Sequence, residues 1–199
     1  MDEVADVRDG THDSPQYFPE GHPFITSKNV KDGYINYFDI QYISDAAFGE
    51  INMRSKVDIN DILMGMIGTI GNVALVREIP DFVIKNVALI KDTKKIHFLY
   101  LYHHLLSSNI LKQLVESVDG GTQKFIALNK IRSLLIAIPC KEEQYKVGEY
   151  LERLDTLITL HQRELKITME EQKWQKESRM QKLFIRTTPV GSVSTKKVR

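Results

Sequence analysis

Apolar residues in the first ninety positions fall in short runs broken by glycine and proline. The runs "EVADV", "HPFIT", "YINYFD" and "QYIS" alternate or cluster as strands do, with Gly10, Pro15, Pro19, Gly21, Pro23 and Gly33 between them. This predicts a small, twisted, loop-rich sheet. Ser44 ahead of "DAAFGEINMR" supplies an N-cap and predicts a short helix near 45–53. The strand pattern resumes in "DILMGMIG", "NVALV" and "NVALIK".

From Ile96 the period changes. Apolar residues at 98, 99, 101, 102, 105 and 106, then 110, 111, 114 and 115, predict helix. The loop "VDGGTQKFIALNKIRSL" follows, and "LLIAIP" reads as a short buried strand ended by Pro139. Beyond it, Lys141 to Phe184 contains no proline and one glycine, Gly148. Val147, Leu151, Leu154, Ile158, His161 and Leu165 recur at alternating four- and three-residue steps, a coiled-coil seam with His161 as a polar, register-setting interruption. After Leu165 the seam weakens through Met169, Trp174, Met180, Leu183 and Phe184. Such a helix would be roughly 65 Å long at ~1.5 Å per residue, more than a small domain covers, so it calls for a partner helix. The fold class is therefore α/β (α+β): a domain over 1–139 with a small twisted sheet, then a long coiled-coil-forming helix over 140–186. The Ser/Thr/Lys-rich 187–199 is expected to be disordered.

Composition changes this picture little, and charge changes it more. A hydrophobic content of 42% with 27% charged residues is ordinary for a soluble domain. The start "MDEVADVRDG" is acidic where a secretion signal is basic and then apolar, and no long uncharged apolar run follows. An intracellular, cytoplasmic protein with no membrane partner is expected. The lone Cys140 permits no internal disulfide and no structural zinc site, and reads as a small residue at a strand end. The formal net charge of +1 hides an asymmetry: residues 1–84 carry net −8, residues 85–132 net +5 and residues 133–199 net +4. Phosphate binding needs only a local basic face, so a near-neutral total does not exclude nucleic acid.

Catalytic constellations are missing from the pattern. "GMIGTIG" is not G-x-G-x-x-G and lacks its strand-then-helix setting, and no Gly-Lys-Ser/Thr occurs. The adjacent His103 and His104 point to different helix faces and make a poor metal pair. A nuclease would have to pair Asp81 of "PD" with Glu164 and Lys166 of "ELK", which lie in the helical seam. No catalytic or metal site is expected.

Five stretches in order, "DGTHDSPQYFPEGHPFITSKNVKDGYI", "DILMGMIGTIGNVALV", "KNVALIK", "GGTQKFIALNKIRSLLIAIP" and "EEQYKVGEYLERLDTLITLHQRELK", resemble the specificity subunits of Type I restriction-modification systems. The resemblance spans about residues 3 to 184 and covers one target-recognition domain and one helical region. It implies a non-catalytic subunit that reads half of a bipartite site in double-stranded DNA and docks methylation subunits. S-adenosylmethionine, ATP and Mg would then belong to partner subunits, the methylation subunits using S-adenosylmethionine and a separate restriction and translocation subunit being driven by ATP. Family members typically carry two of each region, so the chain resembles a half-subunit, expected to form a homodimer or to pair with another half through Val147 to Leu165. The rival expectation is a scaffold that dimerises or sequesters methylation subunits without reading DNA.

In that setting the glycine-rich stretch reads as a hairpin whose "GTIG" turn is the DNA-facing edge. Gly68 and Gly71 admit close backbone approach, while Thr69 and Asn72 offer side-chain hydrogen bonds. A plain tight turn remains the alternative. "SKNV" offers Lys28 for phosphate or guanine and Asn29 for adenine. "GGTQKF" offers Gly121, Thr122, Gln123 and Lys124. Arg54, Lys56 and Lys85 join as phosphate contacts by charge alone, and Tyr42 and Phe125 are assigned to the core.

Overall fold

The computed structural model describes residues 1–68, 71–117 and 124–187, with side chains as far as Met180. Two compact units result, Met1–Glu152 and Arg153–Arg199.

The first unit is built on two small sheets. In chain order its strands are β1 (Asp6–Asp9), β2 (His22–Thr26), β3 (Val30–Lys31), β4 (Tyr34–Ile35), β5 (Gln41–Ile43), β6 (Ile62–Gly65), β7 (Val73–Leu75), β8 (Val83–Lys85) and β9 (Val87–Lys91). A four-stranded antiparallel sheet runs β1-β9-β6-β7, and a three-stranded sheet β5-β2-β8 has β2 parallel to β8. The two-residue pair β3-β4 turns through Asp32 (φ 53) and Gly33 (φ 83), the left-handed conformations that an Asp-Gly hairpin turn accommodates.

The runs "ILMG" and "VALI" do not alternate with polar residues because both faces of the four-stranded sheet are covered. Ile62, Met64, Val73, Ala88 and Ile90 face a cluster with Leu99, Leu105, Ile110, Leu114 and Ile131. Successive strand residues point to opposite faces, so Leu63, Ala74 and Leu89 pack with Ile25, Ile84 and Phe82 toward the second sheet. The first cluster's helices are α2 (Phe98–Leu105), α3 (Ser108–Glu116) and α4 (Leu128–Arg132), while α1 (Asp45–Ser55) lays Ala47, Phe48 and Ile51 against Phe24, Ile43 and Val83. Ser44 does cap α1, its Oγ accepting from the Ala47 N–H at 3.4 Å.

Three expected strands differ. The first begins at Asp6 rather than Glu3, and of "YINYFD" only Tyr34–Ile35 pairs, because Asn36 Oδ1 accepts the Phe38 N–H and closes a turn instead. "LLIAIP" forms no strand and is not buried throughout, with Leu135 76% exposed. Its backbone is met by side chains: Gln113 accepts from Leu135 N–H (2.9 Å) and donates to Leu135 O (3.2 Å), and Tyr100 donates to Ala137 O (2.8 Å). Cys140 is exposed, after a loop rather than a strand.

The long helix α5 spans Lys141–Thr187. Its first turns belong to the first unit, so the contact boundary falls at Glu152 rather than at Pro139. Gln144 bridges the junction, donating to Pro139 O (2.8 Å) and accepting the His97 N–H at the start of α2 (2.9 Å). Gly148 is the helix's one glycine for a steric reason: a Cβ there would lie 2.7 Å from Tyr100 N and 3.0 Å from Leu99 Cβ. The second unit is helical from Arg153 to Thr187 and exposes Leu157, Ile158, Leu160, Leu165, Ile167, Met169 and Trp174. Among the described residues no helix is long and apolar enough to cross a membrane. The tail expected to be disordered lies, from residue 188, outside the described residues.

Candidate nucleic-acid interface

Strand pairing decides which loops meet. Because β6 pairs antiparallel with both β7 and β9, Gly65 stands opposite Val87 and Ile62 opposite Ile90 and Leu75. The hairpin tip after Gly65 therefore leaves the sheet at its Val87 end.

At that end three segments converge. Gly68 N–H donates to Lys124 O (3.0 Å) and Ile126 N–H to Met66 O (2.9 Å), so Ile67 and Phe125 form an antiparallel bridge. The third segment is the 3-10 turn Ser27–Asn29, whose Ser27 Oγ accepts from Met66 N–H (3.1 Å) and Ile67 N–H (3.3 Å) and donates to Asn86 O. One hydroxyl thus anchors the hairpin base. Ser27–Asn29, Met66–Gly68 and Lys124–Ile126, distant in sequence, share one edge. Ser27 was not singled out from the sequence, and nothing but its place in "SKNV" marks it there.

The glycines have distinct reasons. Gly68 adopts φ +76 with open space where a Cβ would sit; Gly71 adopts φ +81, and its Cβ would meet Leu114 Cδ1 at 3.2 Å. Gly68 is a conformational need alone, whereas Gly71 also admits α3.

Side chains sort more sharply than their types suggested. Lys28 is exposed and bonds Asp39 at 2.9 Å. Asn29 is not available to a base, since it is 2% exposed with its amide engaged internally: Oδ1 accepts from Thr26 N–H and Oγ–H, and Nδ2 donates to Asn36 O. Asn72 braces the edge, donating to Val30 O at 3.3 Å. Lys124 is exposed, and so is Phe125, at 42%, because its backbone pairs with Ile67 at the rim of the fold; it is not core. Tyr42 is half-buried. Thr69, Gly121, Thr122 and Gln123 lie outside the described residues.

Arg54 lines a neighbouring cleft of about 330 Å³ with Thr11, Ser14 and Glu50, and Lys85 bonds its Ser14. Lys85 follows Ile84 in register beside Thr26 and donates to Ser14 Oγ. Arg54 is matched by Asp9 at 2.5 Å, and Asp9 also meets His12 Nε2 at 2.9 Å, while His12 Nδ1 meets Asn86 Oδ1 at 2.8 Å. With acceptors on both ring nitrogens, Asn86 first and Asp9 second hold His12 above its usual pKa against partial burial and Arg54. Burial opposes ionisation of Asp9, but hydrogen bonds from His12 and Arg54 prevail and lower it. This network neutralises Arg54 locally. Asp81, the carboxylate of the nuclease reading, likewise accepts from His22 at 2.7 Å.

Residues 2–171 match the family model described as the Type I restriction modification DNA specificity domain. The chain belongs to this family. It is 31% identical over 140 residues to the Type I restriction enzyme EcoBI specificity subunit of Escherichia coli, covering 68% of this chain and 29% of that one. It is 26% identical over 173 residues to a putative Type I restriction enzyme MjaX specificity subunit of Methanocaldococcus jannaschii, covering 82% and 39%. The chain thus spans about a third of these curated relatives. Among solved structures, the S subunit from M. genitalium superposes with a TM-score of 0.54 at 18% identity, over 80% of this chain and 40% of that one. The HsdS subunit from Thermoanaerobacter tengcongensis does so with 0.54 at 17%, over 98% and 48%. These likenesses show the fold: small sheets with a long C-terminal helix.

On α5 the expected seam is outward-facing at Val147, Leu154, Ile158, His161 and Leu165, with Leu151 half-buried. The face toward the first unit is instead Gln144 and Gly148, both buried, followed by half-buried Glu152. Polar and small residues do not register in an apolar-periodicity reading.

Proposed function

We propose that the chain reads one half-site of double-stranded DNA as the specificity component of a Type I restriction-modification assembly. The observation that carries this is the convergence of Ser27–Asn29, Met66–Gly68 and the segment at Lys124 on one sheet end, in a chain of the DNA specificity domain family. Backbone near the surface at Gly68 and the exposed Lys28 and Lys124 suit phosphate and groove contact, with Lys85 beside them. Asn29 and Asn72 hold the loops in shape, so base reading falls to the tip and to residues 121–124.

Catalysis then belongs to partners: methylation subunits with S-adenosylmethionine, and a restriction and translocation subunit with ATP and Mg, in the cytoplasm of a bacterium or archaeon. The outward seam Val147, Leu154, Ile158, His161 and Leu165 supports pairing with a second copy or another half-subunit. A two-fold homodimer would read an inverted repeat.

The test is methylation mapping of DNA from cells expressing this chain and its cognate methylation subunit, without any other specificity subunit. A modified inverted-repeat bipartite motif is expected. With both proteins present, absence of new methylation would remove the self-paired dimer first, and absence of sequence-specific DNA binding by the assembled complex would overturn the recognition reading.

A further inference from the structure

At the end of the four-stranded sheet away from the hairpin tip lies a second surface of different chemistry. Leu75 pairs with Ile62, so the chain after β7 leaves the sheet opposite the Gly65 end. There Tyr34, Tyr37, Leu75, Arg77, Ile79 and Phe82 line a groove of about 280 Å³. Its lip is unusually apolar for open surface: Ile79 is 84% exposed, and Phe38, next to Tyr37, is 82% exposed. Single exposed apolar residues need no explanation, but a contiguous set beside a preformed groove does.

The groove is held rigid. Tyr37 meets Phe82 edge-on at 6.4 Å. Asn36 Oδ1 accepts the Phe38 N–H at 2.9 Å and fixes the backbone there. Arg77, the groove's cation, already donates to both carboxylate oxygens of Glu152 (3.0 and 3.1 Å) and to Gly33 O (3.2 Å), and lies 5.4 Å from the ring centroids of Tyr34 and Tyr102. What remains on the rim is negative. Glu78 makes no ion pair among the described residues, and Asp81, itself 2.7 Å from His22 Nδ1, stands close by; burial first, then these two carboxylates, hold the Tyr37 phenol above its usual pKa. Phosphate would be disfavoured at this rim by the Glu78 and Asp81 carboxylates.

We propose that this groove docks a basic, aliphatic segment of the methylation subunit, a contact additional to α5 and resting on the assembly reading above. An aliphatic side chain fills the space between Tyr34 and Tyr37, and a Lys or Arg beside it meets Glu78 and Asp81. Through Arg77 and Glu152 the groove is continuous with the first turns of α5.

The experiment measures association of the full chain with the purified methylation subunit by calorimetry, alongside target-DNA affinity of the assembled complex. Ile79→Glu and Glu78→Lys alter exposed side chains, so melting curves like the wild type are expected. Each should weaken association about tenfold, which is ~1.4 kcal/mol, while leaving the methylated motif unchanged. Glu78→Lys should also reduce the salt dependence of association. Wild-type association with both variants equally tight overturns the groove and leaves the recognition reading standing. A change in DNA affinity with association intact overturns it in favour of a nucleic-acid face. Failure of the wild type itself to associate removes both the assembly reading and this inference.

Discussion

The two ends of the four-stranded sheet are built on opposite plans. The hairpin end is held chiefly through main-chain groups: Gly68 pairs with Lys124 and Ile126 with Met66, and short side chains such as Ser27 bond backbone amides, with left-handed glycines and exposed lysines at the surface. At the other end Arg77 is held by side chains, between Glu152 and two tyrosines, and the first turns of α5 are seated by Gln144 across Pro139 and His97 and by Gly148 against the Tyr100 backbone. Main-chain pairing leaves side chains free to vary and read, whereas side-chain closure ties stability to particular residues.

The comparison breaks most visibly at Gly148. Helix propensity alone says that Gly148→Ala stabilises by about 1 kcal/mol, but the added Cβ would sit 2.7 Å from Tyr100 N. The expected net outcome is a loss of about 1–3 kcal/mol, read as a lower urea midpoint; a gain in stability would show that α5 does not seat as described. Arg77→Ala should come next, at about 1–2 kcal/mol, because Glu152 is left partly buried without its bidentate partner. Thermal melts of Arg77→Ala and Glu152→Gln singly and together would show coupling if the pair acts as a unit.

At the hairpin end the effects are smaller in stability and larger in binding. Gly71→Ala should cost more than Gly68→Ala, since both take a left-handed conformation, at about 1 kcal/mol, but only Gly71 also meets Leu114 at 3.2 Å. Equal melting temperatures for the two variants would contradict that distinction. Lys124→Ala should leave stability within about 0.5 kcal/mol and, under the proposed function, lower the slope of log affinity against log salt by about one. The smallest effect is pH. The raised His12 contributes stability that is fully present below its unfolded pKa and lost as pH rises through the folded one; lowered Asp9 contributes above its unfolded pKa and loses it as pH falls. Both groups have solvent access, so the window of maximum stability between these limits should be shallow, and His12→Gln should flatten it in melts across pH.

Legibility followed the kind of interaction involved. The helices near 45–53 and from 98, the strands around 62, 73 and 87, and the long helix from Lys141 were readable because periodicity and caps are local properties. "LLIAIP" misled because apolar content does not say whether a neighbouring edge or a Gln113 side chain will satisfy the backbone. Asn29 misled because residue type is blind to whether an amide faces outward or closes its own turn.

By itself the sequence determined the longer helices, the central strands with their lack of alternation, the family and the glycine need at the turns, but not α4 or the irregular run before Pro139. Only the tertiary structure decided that three remote loops share an edge, that Asn29 is buried while Phe125 is not, and that Arg77 finds Glu152. Those outcomes depend on strand register, and register is set by long-range pairing: a one-residue slip would send each side chain to the opposite face.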